Sequence, residues 1–168
     1  RTFDGPTTAS ATGSASLVGI VSPDVVTLTG TPAYAFDTRD IGTAKTITTT
    51  GYTLGGTGAG NYTLTQPTLS ANITAKALTV SGLTGTSRTF DGTTTASATG
   101  SASLVGIVSP DVVTLTGTPA YSFDTRDIGT AKTITTTGYT LGGTGAGNYT
   151  LTQPTLSANI TAKALTVT

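Results

Sequence analysis

The sequence contains no cysteine, histidine, methionine, tryptophan or glutamate. Without cysteine there is no disulfide, thiol nucleophile or thiolate-bound metal. Without histidine there is no imidazole base and no Ser–His–Asp triad. A transition-metal site would have to be built from oxygen ligands alone. These absences remove the common routes to catalysis, so we expect no enzyme activity, no cofactor and no resident metal.

Excess charge and long apolar runs are also missing. Eight basic residues balance eight acidic ones, whereas binding to nucleic acid or to an anionic membrane needs a basic excess. No run approaches the 18 apolar residues that a membrane-spanning helix needs. We therefore expect this segment neither to bind nucleic acid nor to insert into a membrane. We also expect the chain to be a monomer, with end-to-end strand contacts between molecules as the possible exception.

Threonine and glycine dominate what is present, with 44 and 22 of the 168 residues. Threonine favours strands, and glycine favours turns. Apolar and polar residues alternate through Asp24–Phe36, Ala44–Gly56 and Asn61–Thr74, with glycine, proline or aspartate at the breaks. This period of two predicts strands, with a bulge at Gly51 and a tight loop over Gly56–Asn61.

The chain contains an internal repeat with a period of 87 residues: the motif RTFDG begins at Arg1 and again at Arg88. Residues 1–81 and 88–168 differ at three positions only: Pro6/Thr93, Ala35/Ser122 and Ser81/Thr168. This period exceeds that of a solenoid coil, so each copy is predicted to be a domain. Roughly seven short strands per copy predict two tandem antiparallel β-sandwich (Ig-like) domains, arranged end to end as a rod.

The predicted core of the first copy consists of the apolar residues on one parity of each strand. Residues 14–24 are ambiguous, and fit either a strand corner or a helical turn before Pro23. The core list is Leu17, Ile20, Val26, Leu28, Tyr34, Phe36, Ile47, Tyr52, Leu54, Tyr62, Leu64 and Ile73.

The junction between the copies changes parity, since Ile73 and Ala75 are odd and Leu78 and Val80 are even. Alternate residues of a strand face opposite ways, so one extended segment is predicted to serve two cores, with the crossover near Lys76–Leu78. The predicted domains are 1–77, which lacks its leading strand, and 78–164. Residues 165–168 would begin the next repeat. We expect the first domain to have an open edge that the tail of a neighbouring molecule fills.

Several motifs together resemble the YDG-type repeat, which is related to the MBG type. They are RTFDGTTTASATG, DTRDIGTAKTITTTGYTLGG and AGNYTLTQPTLSANITAKALTV, with Phe3 and Phe90 where the family often has tyrosine. Such repeats occur in tandem in very large bacterial surface adhesins. The resemblance implies an all-β stalk domain on the bacterial cell surface, and it brings no catalytic or ligand-binding residues.

The acidic residues offer three alternatives. Asp4-Gly5 and Asp91-Gly92 fit either a metal ligand or a turn in which glycine takes φ > 0, and we favour the turn. Asp37–Asp40 and Asp124–Asp127 fit a calcium site completed by Asp24, or a loop with an Asp–Arg pair, which we favour. Asp37 and Asp40 also resemble a glycosidase acid–base pair, but no sugar platform surrounds them.

Three further motifs have a structural alternative. Lys45 or Lys76 with Asn61 or Asn72 would suit an intramolecular isopeptide bond. Asn61-Tyr62-Thr63 and Asn72-Ile73-Thr74 match glycosylation acceptors, but such triplets are frequent in a threonine-rich chain. Thr27-Leu28-Thr29 and Thr46-Ile47-Thr48 suggest ice binding, which the long period disfavours.

Two functional hypotheses remain. In the first, the repeats are spacers of a stalk that holds a distant binding domain away from the cell. In the second, each repeat weakly binds a glycan or protein, and tandem copies add avidity. The second needs exposed tyrosine or arginine, whereas Tyr34, Tyr52 and Tyr62 are predicted to lie inside.

Overall fold

A computed structural model describes all 168 residues, and its regular structure is β throughout apart from two short 3-10 turns. The all-β prediction is therefore confirmed. The chain divides into two compact units, Arg1–Thr74 and Ala75–Thr168. This division lies three residues before the predicted domain boundary at 77/78.

Unit 1 contains one antiparallel sheet of four strands in the order β1-β2-β3-β4. A 3-10 turn at Ala59–Asn61 occupies the predicted tight loop between β3 and β4. Beyond the end of β4, Thr74 forms an isolated parallel bridge with Thr2. The strands are β1 (Thr8–Ala9), β2 (Thr27–Phe36), β3 (Gly42–Gly55) and β4 (Thr68–Ile73).

Unit 2 contains seven strands in two sheets, β10-β5-β7 and β6-β11-β9-β8. The expectation of purely antiparallel sheets is wrong, because β10 pairs with β5, and β11 with β6, in parallel. Both pairs join strands far apart in sequence, and such connections permit parallel pairing, whereas hairpins do not. The strands are β5 (Lys76–Gly85), β6 (Arg88–Thr89), β7 (Ala98–Val105), β8 (Thr114–Phe123), β9 (Gly129–Gly142), β10 (Tyr149–Thr152) and β11 (Thr155–Thr161).

The two units share one sheet and differ in the other. Strands β2, β3 and β4 match β8, β9 and β11 at the 87-residue period. Residues 11–18 and 62–65 are identical in sequence to β7 and β10, yet they lie outside any strand. The three-stranded sheet is therefore present only in unit 2, and its central strand β5 has no counterpart in unit 1.

Strand β5 is held in that sheet by an apolar row. Leu78 is fully buried and lies opposite Leu151 of β10, while Val80 lies opposite Leu104 of β7. Leu165 occupies the same place in the sequence KALTV one period later, and its side chain is 90% exposed. The same residues are thus core or surface according to whether strands lie on both sides of them.

Most of the remaining core lies on the four-stranded sheets. In unit 1, Phe3, Phe36, Ile47 and Ile73 are buried. In unit 2, Phe90, Ala96, Tyr121 and Leu156 pack around a buried cluster. That cluster consists of Phe123, Ile134, Ala158 and Ile160.

Most of the predicted core residues face inward, but to different degrees. Phe36, Ile47 and Ile73 are buried as predicted. Ile20 is 40% exposed, so its assignment to the core is wrong. Its segment forms no strand in unit 1, and in unit 2 β7 ends at Val105, before the matching Ile107. Half-buried members are Leu17, Val26, Leu28, Tyr34, Tyr52, Leu54, Tyr62 and Leu64.

The predicted bulge at Gly51 is confirmed. The pairing of β2 with β3 shifts between Gly30 and Ala33, opposite Gly51. Both glycines have φ of +90°, and a Cβ on either would collide with backbone oxygen of the facing strand. Only glycine satisfies both conditions.

The junction is two strands rather than the single continuous segment that was predicted. β4 ends at Ile73, and β5 begins at Lys76. Ile73 and Leu78 are both buried, as the change of parity predicts. The strand is interrupted at Thr74 and Ala75 because Thr74 bridges to Thr2, whereas β5 pairs within another sheet.

Shortening Leu78 tests its place in the core of unit 2. We expect Leu78→Ala to lower the free energy of unfolding by about 2–5 kcal/mol, since the fully buried side chain leaves a cavity. Leu165→Ala, the same substitution in the same local sequence, should change it by less than about 0.5 kcal/mol in dilute solution. Urea unfolding measures both, and equal losses would contradict the structure.

Amide exchange should distinguish the two copies of the segment ATGSASLV. We expect slow exchange in β7, whose amides pair with β5, and fast exchange at residues 11–18. Peptides 3–18 and 90–105 have different masses because of Pro6 and Thr93, so mass spectrometry separates them. Similar exchange in both peptides would show that β5 does not order β7.

Candidate functional site

The RTFDG loop is organised by its arginine in both units. In unit 1 the guanidinium of Arg1 lies 3.1 Å from the carboxylate of Asp4 and donates to the carbonyl of Thr8 at 2.8 Å. It also donates to the Pro6 carbonyl and lies over the ring of Phe36, 5.0 Å from its centroid. Cation–π contact and charged hydrogen bonds together fix the loop.

The second copy of this loop confirms the predicted Asp-Gly turn. Asp91 accepts hydrogen bonds from the backbone amide and the hydroxyl of Thr93, both at 2.9 Å. These bonds, first of all that from the amide, and the nearby charge of Arg88 lower the pKa of Asp91. Gly92 has φ of +85°. The carboxylate is therefore used within the loop.

The Asp37–Asp40 loop is closed by a lysine. The ammonium of Lys45 lies 2.9 Å from Asp37 and donates to the hydroxyl of Thr38 at 2.6 Å. The hydrogen bond from Lys45, and one from the Thr38 amide, lower the pKa of Asp37. Unit 2 repeats the arrangement with Asp124, Thr125 and Lys132. Arg39 lies over the ring of Phe3, 5.1 Å from its centroid.

Asp24 belongs to a different cluster from the one that the calcium hypothesis assigned to it. Its carboxylate accepts a hydrogen bond from the Tyr62 hydroxyl at 3.0 Å, and that hydroxyl accepts from the Val21 amide. The buried part of the tyrosine thus obtains the polar partner it needs. No three carboxylates lie close enough together to hold a metal ion. Asp37, half of the hypothetical glycosidase pair, is bound to Lys45.

The asparagines of the isopeptide and glycosylation hypotheses have backbone and loop partners. The side-chain oxygen of Asn72 accepts from the Ala44 amide at 2.8 Å, where β3 bulges and Ala44 has φ of +48°. Asn61 donates to Asp24 at 3.3 Å. Lys45 is engaged by Asp37, and Lys76 lies in β5 of unit 2. Asn72 therefore supports a strained bulge, a role that its sequence context does not reveal.

The threonine runs pair across strands rather than forming a flat ladder. The hydroxyls of Thr29 and Thr53 lie 2.9 Å apart on β2 and β3, and those of Thr116 and Thr140 lie 2.8 Å apart on β8 and β9. Such cross-strand bonds stabilise the exposed face of each sheet.

A tyrosine pair occupies the inner face of each four-stranded sheet. The hydroxyls of Tyr34 and Tyr52 lie 3.0 Å apart, and this hydrogen bond, with burial, raises the pKa of Tyr34. In unit 2, burial and then the bond to Tyr139 raise the pKa of Tyr121 to about 12. Each pair satisfies its hydroxyls internally.

In unit 1 this pair borders a groove with both polar and apolar walls, which we call the unit 1 groove. It consists of two adjoining cavities of about 360 Å³ and 270 Å³, which share Leu17 and Leu64 in their walls. Residues 11–18 form one side, and residues 62–65 form another. The motifs that the sequence offers as candidate sites do not point to this groove. Leu17 and Leu64, which line both cavities, are predicted core residues, and this is the one sequence signal for the groove.

The Asp–Lys pairs should make stability depend on pH in acid. A carboxyl with a lowered pKa stabilises the fold above its unfolded pKa, and this contribution is lost as pH falls through the folded pKa. We expect replacement of Asp37 and Asp124 by asparagine to lower Tm at pH 7, with the difference from wild type narrowing below about pH 4. A variant with Lys45 and Lys132 replaced by glutamine should likewise have a lower Tm than wild type at pH 7, and this difference in Tm should also narrow below about pH 4. Parallel Tm curves from pH 2 to 7 would contradict this effect.

The structure has no helix of the length and apolarity that crossing a membrane requires. Among curated proteins and among solved structures, none is significantly similar to the chain. Comparison with protein families matches residues 1–69 and 74–157 to the YDG domain, which covers both units. The chain therefore belongs to the YDG domain family.

Proposed function

We propose that these repeats are non-catalytic spacers in the stalk of a bacterial surface adhesin, outside the cell. In this proposal each repeat is a two-layer, Ig-like sandwich, and successive repeats are stacked end to end as a rod. The observation that carries it is the two-residue connection between β4, which ends at Ile73, and β5, which begins at Lys76.

The connection supports stiffness because it leaves little slack. Two extended residues span at most about 7 Å. Thr74 is tied by hydrogen bonds to both Arg1 and Phe3, so only Ala75 lies between paired residues. Rotation that leaves these hydrogen bonds intact is therefore limited to the backbone dihedrals of Ala75.

The side chains support a passive role. Two loop carboxylates form ion pairs within the unit. Asp4 pairs with Arg1 of its own loop, and Asp37 pairs with Lys45 of the adjoining strand. The exposed sheet faces carry threonines bonded to each other. Neither arrangement offers a reactive group, as would suit a spacer repeated many times.

The surface location is supported by the resemblance to repeats of large bacterial adhesins together with membership of the YDG domain family. The lack of cysteine suits a protein whose folding does not depend on redox conditions.

The avidity hypothesis has less support. Binding hot spots are enriched in tyrosine and arginine that a partner can reach. Here the hydroxyls of Tyr34 and Tyr52 bond each other, that of Tyr62 bonds Asp24, and all three rings are half-buried. We therefore retain the spacer as the proposed function.

Small-angle scattering on arrays of two, four and six repeats tests the spacer. We expect the maximum dimension to grow linearly with repeat number, since a rigid junction preserves direction. A matched array with a Gly-Gly-Ser-Gly-Ser insertion after every Thr74 position should grow closer to the square root of repeat number. Square-root growth of the native array would refute the proposal.

A further inference from the structure

The first two strands of unit 2 pair in parallel with its last two strands. In the three-stranded sheet β5 pairs with β10, and Lys76 lies opposite Tyr149. In the four-stranded sheet β6 pairs with β11, and Thr89 lies opposite Thr161. Each sheet of the unit therefore contains one parallel pair, formed between the beginning and the end of the folded unit.

The two parallel pairs belong to two continuous segments that change sheet together. Residues 86–87 join β5 to β6, and residues 153–154 join β10 to β11. The offset between opposed residues differs by only one between the two pairings, so the segments stay nearly in register across the change of sheet. We call residues 76–89 the entry segment and residues 149–161 the exit segment.

Further hydrogen bonds join the entry segment to the exit segment where the strands change sheet. The amide of Asn159 donates to the hydroxyl of Ser87 at 2.9 Å. Just beyond the entry segment, the amide of Phe90 donates to the carbonyl of Thr161 at 2.8 Å, and the corresponding bond of unit 1 has the same length. The two segments are thus bonded to each other along most of their length.

The chain reaches the entry segment at Lys76 and leaves the exit segment at Thr161, which lie at opposite ends of the parallel pair. Tension along the chain therefore pulls the two segments past each other, in shear, and loads their hydrogen bonds together instead of one after another. We propose that these segments are a mechanical clamp, which gives the repeat a load-bearing function. A spacer needs stiffness against bending, whereas the clamp resists extension, so the inference goes beyond the spacer function and does not depend on it.

Sliding of the entry segment also breaks the contacts of β5 with its other neighbour. β5 lies between β10 and antiparallel β7, and the hydroxyls of Ser81 and Ser103 lie 3.0 Å apart across the second pairing. Leu78 of β5 is fully buried, so sliding would also move a leucine into water. Strands β8 and β9 pair antiparallel outside both segments, so their hydrogen bonds stay unloaded until the clamp opens.

Single-molecule force spectroscopy on the full chain tests the clamp by changing only the direction of pull. The chain has no cysteine, so an introduced pair gives two unique attachment points. The shear attachment, Ala75→Cys with Ala162→Cys, pulls the segments past each other. The unzipping attachment, Ala75→Cys with Gly147→Cys, separates the adjacent N-terminal ends of β5 and β10. Ala162 is exposed and a Cβ at Gly147 meets open space, so neither change should prevent folding.

We expect the shear attachment to unfold unit 2 at a force at least about twofold higher than the unzipping attachment, at the same loading rate. The reason is that shear loads all the hydrogen bonds between the segments at once, whereas unzipping loads one at a time. Equal unfolding forces for the two attachments would overturn the proposal.

Two conservative variants separate the clamp from general stability. Ser87→Ala removes the bond from the Asn159 amide across the clamp, and Thr116→Val removes the hydroxyl bond to Thr140 between β8 and β9. At a fixed force on the shear attachment, Ser87→Ala should raise the unfolding rate by roughly 2- to 10-fold. Thr116→Val should leave that rate unchanged, because its strands are still paired when the clamp breaks. Equal unfolding rates for the two variants would also overturn the proposal.

Discussion

The structure of unit 2 depends on the burial of one strand between two others. Leu78 is the fully buried residue of β5, and β5 is the only strand that joins β10 to β7. Residues 98–105 and 149–152 therefore become strands only when β5 supplies hydrogen bonds and apolar contact together. Unit 1 is the internal control, because it has the same flanking residues without that strand.

The four-stranded sheet does not share this dependence. β2, β3 and β4 keep the same bounds as β8, β9 and β11 to within one residue, with the same paired glycines at the bulge. Their core residues Ile47 and Ile134 are both buried. Each repeat thus consists of a sheet that its own 87 residues specify and a second sheet that needs the residues before its RTFDG motif. For this reason unit 2 begins at Ala75, before the RTFDG motif that begins at Arg88.

Sequence patterns predicted the strands well where the partners are local. Period-two alternation located β2 and β3, and Gly51 marked the bulge, because hairpin neighbours and backbone geometry act over a few residues. They predicted less where partners are distant. The parallel pairing of β5 with β10 joins residues more than 70 positions apart, which no local pattern records. The sequence did not reveal the polar contacts either. The spacing suggested an ion pair between Asp37 and an arginine, but the chain reverses before β3 and brings Lys45 to Asp37 instead.

The unit 1 groove illustrates why a repeat cannot be understood from its own residues alone. Leu17 and Leu64 are predicted core residues, and the same residues 87 positions later line β5. In a longer array the residues before each RTFDG would fill the groove that follows them, so one segment would both connect and complete adjacent repeats. In unit 2 a change in Leu78, or in the residues that face it, would spoil the fit of β5 to its neighbouring strands.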